Sequence, residues 1–136
     1  AACRGLSLEP LLGVVDLSKW NHDGCCGCAD NEPESGNGFK CKHCKDTGCV
    51  SELDWLIIGG ESGTGARPCN VDWIRSLVQQ CQSAGVAVHV KQLGANWVNR
   101  FGSNVSVDGH IIAHPKGGDP SEWSPDLRVR EWPKGF

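Results

Sequence analysis

The sequence lacks any long apolar run. No segment of its 136 residues approaches the roughly 18 consecutive apolar residues of a transmembrane helix. The first ten residues, AACRGLSLEP, lack the charged and apolar parts of a secretory signal. The formal net charge of −3 also lacks the positive excess of a protein that binds polyanions over its whole surface, although a local basic patch is compatible with it. We therefore expect a soluble, cytoplasmic protein that does not engage a membrane.

The chain is also too short for a complete closed eight-stranded α/β barrel, which takes roughly 250 residues. Its 136 residues are enough for one domain with a core, and they contain no internal repeat. We therefore expect a single α/β domain that spans residues 1–136.

Cysteine, by contrast, is abundant, because nine occur in the chain and six of these lie between positions 25 and 49. Residues 21–50 have almost no large apolar side chains, so this segment cannot order itself around a core of its own. Two C-x-x-C pairs separated by twelve residues match the spacing of a structural zinc site with four thiolate ligands. The sequence therefore predicts a zinc-binding insertion over residues 21–50, with ligands Cys25, Cys28, Cys41 and Cys44.

The ligand set and the role of this insertion stay open. Cys26, His43 and Cys49 are close enough in sequence to replace one of the four ligands. An iron–sulfur cluster would use the same donors, although paired knuckles are more typical of zinc, and thiols that bind no metal are the structural alternative. One side of the insertion is basic, which keeps nucleic acid among the candidate partners; its lysines are Lys40, Lys42 and Lys45.

Three segments are expected to form neighbouring parallel strands. LDWLIIGG (residues 53–60) is a continuous apolar run of the kind found in strands covered on both faces. LSLEPLLG (residues 6–13) indicates a short buried strand that stops at Glu9 and the following proline. VAVHVKQ (residues 86–92) is rich in β-branched residues, as strands are.

A helix is predicted between the second and third of these strands. Asn70 suits the N-cap, apolar residues recur at helical spacing up to Ala84, and Gly85 suits a left-handed C-terminal cap. A strand, a helix and a second strand in this order favour parallel pairing, because antiparallel neighbours need only a short turn. The fold class expected is therefore α/β with a partial parallel sheet.

The loop GGESGTGARP follows the strongest strand, and its glycines allow positive φ and a close approach of backbone to a ligand. It is not a P-loop, because no Lys-Ser/Thr pair follows at the required spacing, and it is not GxGxxG. Glu61 would repel a bare phosphate unless Arg67 offset its charge. A carboxylate here suits an amine, a hydroxyl or a metal better.

Charged and polar side chains follow all three strands, and the carboxyl ends of parallel strands meet at one edge of a sheet. Glu9, Glu61 and Lys91 are the candidate catalytic residues, since two carboxylates and a lysine can share acid–base work. The candidate ligand-binding residues are Gly60, Ser62, Gly63, Arg67 and Gln92. The structural alternative is an ion pair between Lys91 and a glutamate, with glycines that serve only the turn. His89 is expected to be packed rather than catalytic.

The blocks SLEPLLG, WLIIGGESGTGARP, DWIRSLVQQCQSAGVAVHVKQLG and KGGDP-EW-PDLRVREWP resemble the C-terminal part of an uncharacterised phage and prophage protein family. Longer members of that family are similar to radical S-adenosylmethionine barrels and carry an N-terminal three-cysteine motif. This sequence contains no C-x3-C-x2-C segment. The resemblance implies the last strands of an incomplete TIM-barrel-like sheet with Glu9, Glu61 and Lys91 at its mouth. S-adenosylmethionine is implied as a ligand by the resemblance alone.

An incomplete barrel exposes sheet edges that must be covered. An extended C-terminal tail is expected over residues 115–136. We expect cover from residues 120–136 of this tail, from a hairpin at Asp108-Gly109, or from a second subunit in a homo-oligomer. Two functions compete. One is the carboxyl portion of a radical-SAM-like α/β enzyme with a polar ligand site at the strand ends. The other is a zinc-stapled module that binds nucleic acid or protein without catalysis.

Overall fold

The computed structural model describes residues 3–17, 53–98 and 106–135. Its centre is a parallel sheet in which β1 (Gly5–Leu8), β2 (Trp55–Gly59) and β3 (Ala87–Gln92) lie in that order. Leu6 pairs with Leu56, which pairs with Val88 on the other side. The three expected strands are thus present, adjacent and parallel. Within the described residues the sheet is open and forms no closed barrel.

The two faces of the sheet differ in burial because side chains alternate along each strand. On one face the central side chains are fully buried; they include Leu56, Ile58, Val88 and Val90. The opposite face is less covered, and β1 alternates between exposed and half-buried positions. The expectation that β1 is a buried strand is therefore wrong, since only one of its edges pairs within the described residues and one of its faces is exposed.

A helix, α1 (Val71–Ser83), packs on the buried face of the sheet. Asn70 caps it as expected, with its side-chain oxygen accepting from the Asp72 N–H at 2.9 Å. Gly85 adopts φ 68°, the left-handed conformation expected just beyond the helix. The buried positions repeat at helical spacing and are Val71, Ile74, Leu77, Val78 and Cys81. Each large aliphatic side chain buried here contributes about 1.5–3 kcal/mol.

A short hairpin, β4 (Ser106–Val107) and β5 (His110–Ile111), turns at Asp108 and Gly109, which both have positive φ. That conformation is typical of a two-residue hairpin turn and confirms the sequence prediction. Arg75 of α1 ties the hairpin to the helix. Its guanidinium binds the carboxylates of Asp72, Asp108 and Asp126.

The C-terminal tail covers the outer edge of β3, as one of the expectations for the open sheet stated. The Val90 N–H donates to the Val129 carbonyl, and the Glu131 N–H donates to the Val88 carbonyl, both at 2.8 Å. Two 3-10 turns, Pro120–Glu122 and Pro125–Leu127, precede this antiparallel contact. The predicted cysteine-rich zinc insertion (residues 21–50) lies outside the described residues. None of the helices in the described part of the chain has the length and apolarity of a membrane span.

Candidate functional site

The carboxyl ends of β1 and β3 bring two predicted site residues into contact. Glu9 follows β1 directly, and Lys91 is the fifth residue of β3. The Glu9 Oε2 and Lys91 Nζ atoms lie 3.0 Å apart, although β2 separates their strands. The prediction that strand-end charges gather at one edge holds for this pair. The same contact is the ion pair that the structural alternative requires.

Gly59 at the end of β2 makes this contact sterically feasible. A Cβ at position 59 would lie 2.4 Å from the Glu9 Oε1 atom, which is far inside van der Waals contact. Only a residue without a side chain leaves room for the Glu9 carboxylate to lie over β2 and reach Lys91. Gly59 is therefore part of the site, and the sequence prediction did not include it.

Glu61 contacts a different cation. Its carboxylate accepts two hydrogen bonds from the Arg67 guanidinium, at 2.8 and 2.9 Å, and a third from the Arg67 backbone N–H at 2.9 Å. These bonds favour the charged form and lower the pKa of Glu61 to about 2. Arg67 thus offsets the Glu61 charge, and the pair closes the glycine-rich loop on itself.

Gly60 and Gln92 join the loop to β3 through buried hydrogen bonds. The Gly60 N–H donates to the Gln92 carbonyl at 3.0 Å, and the Gln92 side-chain amide donates back to the Gly60 carbonyl at 2.8 Å. A Cβ on Gly60 would lie 2.2 Å from the Leu93 carbonyl oxygen. The Gln92 amide and Gly60 therefore fix the base of the loop. Ser62 and Gly63 lie at its exposed tip.

Further hydrogen bonds hold the loop near its beginning and near its end. The Ala95 N–H donates to the Glu61 carbonyl at 2.8 Å, and the Asn96 side-chain amide donates to the Ala66 carbonyl at 3.1 Å. The indole N–H of Trp97 donates to the Cys69 carbonyl at 2.7 Å. The segment that follows β3 therefore fixes the loop that follows β2, which shapes a rigid rim at the strand ends.

His89 lies on the same sheet face as Lys91, two residues earlier on β3. Its ring packs edge-on against Trp55 and against Trp132 of the tail, with centroids 6.3 and 5.4 Å away. Desolvation lowers the pKa of His89, and the positive charges of Arg130 and Lys91 lower it further. The negative charge of Glu9 acts in the opposite direction and raises it. His89 is packed, as predicted, yet it borders the Glu9–Lys91 pair. The alternation of side chains along β3 is the sequence signal that places it there.

A comparison with known protein families identifies the family of this chain. Residues 1–115 match the family described as protein of unknown function (DUF5131). The chain belongs to this family. No curated protein and no solved structure matches it significantly. Within this DUF5131 chain the match covers every predicted site residue, and it ends before the tail that covers β3.

The remaining sequence-predicted chemistry of this DUF5131 protein concerns thiols. Cys25, Cys28, Cys41 and Cys44 lie outside the described residues, so the zinc site stays a prediction. Across residues 3–17, 53–98 and 106–135, no group of three or more His, Cys, Asp or Glu side chains is arranged to hold a metal ion. Burial raises the pKa of Cys69 to about 11 and that of Cys81 to about 12. Both thiols therefore stay protonated at neutral pH and pack as apolar groups.

Proposed function

We propose that this chain is the carboxyl portion of a radical-SAM-like α/β enzyme from a phage or other mobile element, and that it binds a polar ligand at its strand ends. The observation that supports this most is the Glu9–Lys91 pair, 3.0 Å apart at the carboxyl end of the parallel sheet. In parallel α/β folds this edge is where ligands bind.

The residues at this edge divide into two roles in the proposal. Glu9 and Lys91 would contact the ligand and exchange protons with it, since their charges face the sheet end without a side chain at Gly59 between them. Glu61 and Arg67 would shape the loop, because each satisfies the other through three hydrogen bonds. Gln92 would hold Gly60 in place through the hydrogen bond from its side-chain amide to the Gly60 carbonyl.

S-adenosylmethionine fits the polar character of this edge, because its amino and carboxylate groups match a glutamate and a lysine. When bound to a reduced iron–sulfur cluster, that cofactor supplies a radical. The residues of this sequence include no C-x3-C-x2-C segment to hold such a cluster. The proposal for this chain is therefore limited to ligand binding, with Glu9 and Lys91 as the contacting residues.

A ligand screen tests the proposal. Nucleotides and S-adenosylmethionine are titrated by calorimetry into the wild type, into Lys91→Ala and into Glu61→Ala. We expect saturable binding to the wild type, loss in Lys91→Ala and weaker binding in Glu61→Ala, in which the loop is no longer closed. Lys134→Ala is the matched control, because Lys134 is exposed in the tail. If none of these compounds binds the wild type, nucleotides and S-adenosylmethionine are ruled out as ligands of this edge. Binding that is unchanged in Lys91→Ala would rule out the strand-end site.

The second candidate function is a zinc-stapled module that binds nucleic acid or protein. The ion pairing at the rim favours it, because both strand-end carboxylates are already neutralised by cations of the same chain. Metal analysis of the purified protein tests its zinc requirement. We expect about one zinc per chain, as for a site with four thiolate ligands, and its loss in Cys41→Ser. Cys3→Ser, outside the predicted ligand set, is the control. A metal-free protein prepared under reducing conditions would contradict this candidate.

A further inference from the structure

The Glu9–Lys91 pair is accessible enough to exchange partners with a ligand. The Lys91 side chain is 56% exposed and that of Glu9 is 21% exposed. A pair this close to solvent contributes little to stability, so opening it costs little. The two charges can then form new ion pairs with a molecule that enters between them.

Charge balance decides which molecule can do this. An anion that captured Lys91 would leave the more buried Glu9 carboxylate without its cation, and a cation that captured Glu9 would leave the Lys91 ammonium unpaired. A ligand with adjacent ammonium and carboxylate groups satisfies both side chains at once. Binding then replaces the Glu9–Lys91 ion pair with ion pairs between each residue and the ligand, so that no charge is left unpaired. This favours a zwitterion over a ligand that carries only one charge.

The surface beside the pair indicates what the rest of the ligand carries. The same sheet face continues from Lys91 to His89, about 7 Å along the strand, and on to Trp55. Trp132 packs over both rings and is 63% exposed. The Nδ1 atom of His89 is buried and has no hydrogen-bond partner within the part of the chain that the structure describes. His89 thus lies between the two charges and an aromatic cluster that it forms with Trp55 and Trp132, called here the Trp132 cluster.

We infer that this face binds a free α-amino acid with an aromatic side chain, whose ammonium pairs with Glu9, whose carboxylate pairs with Lys91 and whose ring packs against the Trp132 cluster. The inference rests on the proposed ligand site at the strand ends and names its substrate class. Aromatic packing of the side chain supplies the apolar contact, and the two charges supply orientation.

The first test compares three compounds on the wild-type protein. L-phenylalanine is titrated by NMR and calorimetry beside N-acetyl-L-phenylalanine, which has no ammonium, and L-phenylalanine amide, which has no carboxylate. We expect saturable binding of L-phenylalanine and at least tenfold weaker binding of each blocked compound. Equal affinity for all three compounds would overturn the inference, because it would show that the ammonium and carboxylate groups of the ligand do not contribute to binding.

The second test uses the variant Glu9→Gln/Lys91→Gln, in which uncharged amides replace both charges and each side chain stays polar. Thermal unfolding checks that this variant folds, and Lys134→Gln is the control for removal of a surface charge. We expect loss of L-phenylalanine binding in the double variant and unchanged binding in the control. Unchanged binding in the double variant overturns the inference.

The outcomes separate this inference from the proposed function. If L-phenylalanine does not bind but a nucleotide binds in a Lys91-dependent way, the amino-acid assignment is wrong and the strand-end ligand site stands. If neither L-phenylalanine nor any nucleotide nor S-adenosylmethionine binds the wild type, both are wrong.

Discussion

Two consecutive glycines at the end of β2 are required for different physical reasons. A side chain at Gly59 would meet the flexible Glu9 carboxylate, whereas one at Gly60 would meet the Leu93 backbone. A flexible side chain can move aside, but a backbone held in a sheet and loop cannot move without breaking its hydrogen bonds. The position next to backbone is therefore the more costly one to substitute.

This difference predicts an order of stability among three alanine variants. Gly60→Ala should lower the free energy of unfolding by about 1–3 kcal/mol, because the new methyl group overpacks a rigid site. Gly59→Ala should cost less and should separate Glu9 from Lys91. Gly13→Ala, where a Cβ meets nothing within 4 Å, should change stability by less than about 0.5 kcal/mol. Urea denaturation measures all three, and equal effects at positions 13 and 60 would contradict the packing shown by the structure.

The Glu61–Arg67 contact predicts an acid-dependent loss of stability. The folded-state pKa of Glu61 is lowered to about 2 from an ordinary value of 4.5. A lowered carboxyl pKa stabilises the fold fully above the ordinary value, and this stabilisation is lost as pH falls from 4.5 towards 2. Other shifted carboxyls, such as that of Asp126, add their own dependence.

The contribution of Glu61 is isolated by comparing the wild type with Glu61→Gln in thermal unfolding between pH 7 and pH 2. The wild type should be more stable at pH 7, and the difference should shrink as the pH drops below 4.5. A difference that stays constant down to pH 2 would show that the Glu61 carboxylate does not gain its stabilisation from Arg67.

At the level of elements, the tail is an integral part of the sheet. Arg130 donates hydrogen bonds to the carbonyls of Val90, Lys91 and Gly118, and its guanidinium lies 5.3 Å from the Trp123 ring centroid. These contacts hold the tail along the edge of β3, where unpaired backbone groups would otherwise invite another strand. The tail therefore occupies the edge of β3 with which a strand of another chain could otherwise pair.

Removing the Arg130 guanidinium should loosen that edge. Arg130→Ala should lower the free energy of unfolding by about 1–2 kcal/mol, since hydrogen bonds from a charged donor are lost. Hydrogen exchange at the Val90 N–H, which donates to the tail, should accelerate. Lys134→Ala is the control from the same tail. Unchanged protection at Val90 would mean that Arg130 does not hold the tail on β3.

The elements of the fold differ in how far local sequence signals predict them. The periodicity of residues 71–84, the Asn70 cap and the Asp108-Gly109 turn were readable because each depends on neighbours within a few positions. The tail was only one of several expected covers for the sheet edge. Its docking depends on contacts with β3 about 40 residues away in sequence, which local patterns do not encode.

At the scale of the whole molecule, the core extends beyond the segment that matches the family. The match ends at residue 115, yet Trp123 and Leu127 are fully buried in the same core as the sheet and α1. The indole N–H of Trp123 donates to the Gly117 carbonyl at 3.1 Å, so its polar atom is satisfied as well. A chain cut after residue 115 would leave this part of the core open.

Trp123→Ala should therefore cost about 3–5 kcal/mol, which is a large share of the 5–15 kcal/mol typical of a domain. Trp132→Ala is the matched control, because Trp132 is 63% exposed and should cost only about 1 kcal/mol for its aromatic contacts. Denaturant unfolding of both variants checks the prediction. Similar losses for the two tryptophans would contradict the burial of Trp123.

The sequence by itself predicted the strand segments, the capped helix and the hairpin, because apolar patterns, caps and turn glycines act over a few residues. It also indicated that charges gather at the strand ends, since parallel strands share an edge. Only the tertiary structure decided that Lys91 pairs with Glu9 rather than Glu61, and that Gly59 makes room for this. Glu9 and Lys91 are 82 positions apart, so their contact follows from strand order and packing. Sequence patterns within a few residues therefore do not predict the Glu9–Lys91 contact or the space that Gly59 leaves for it.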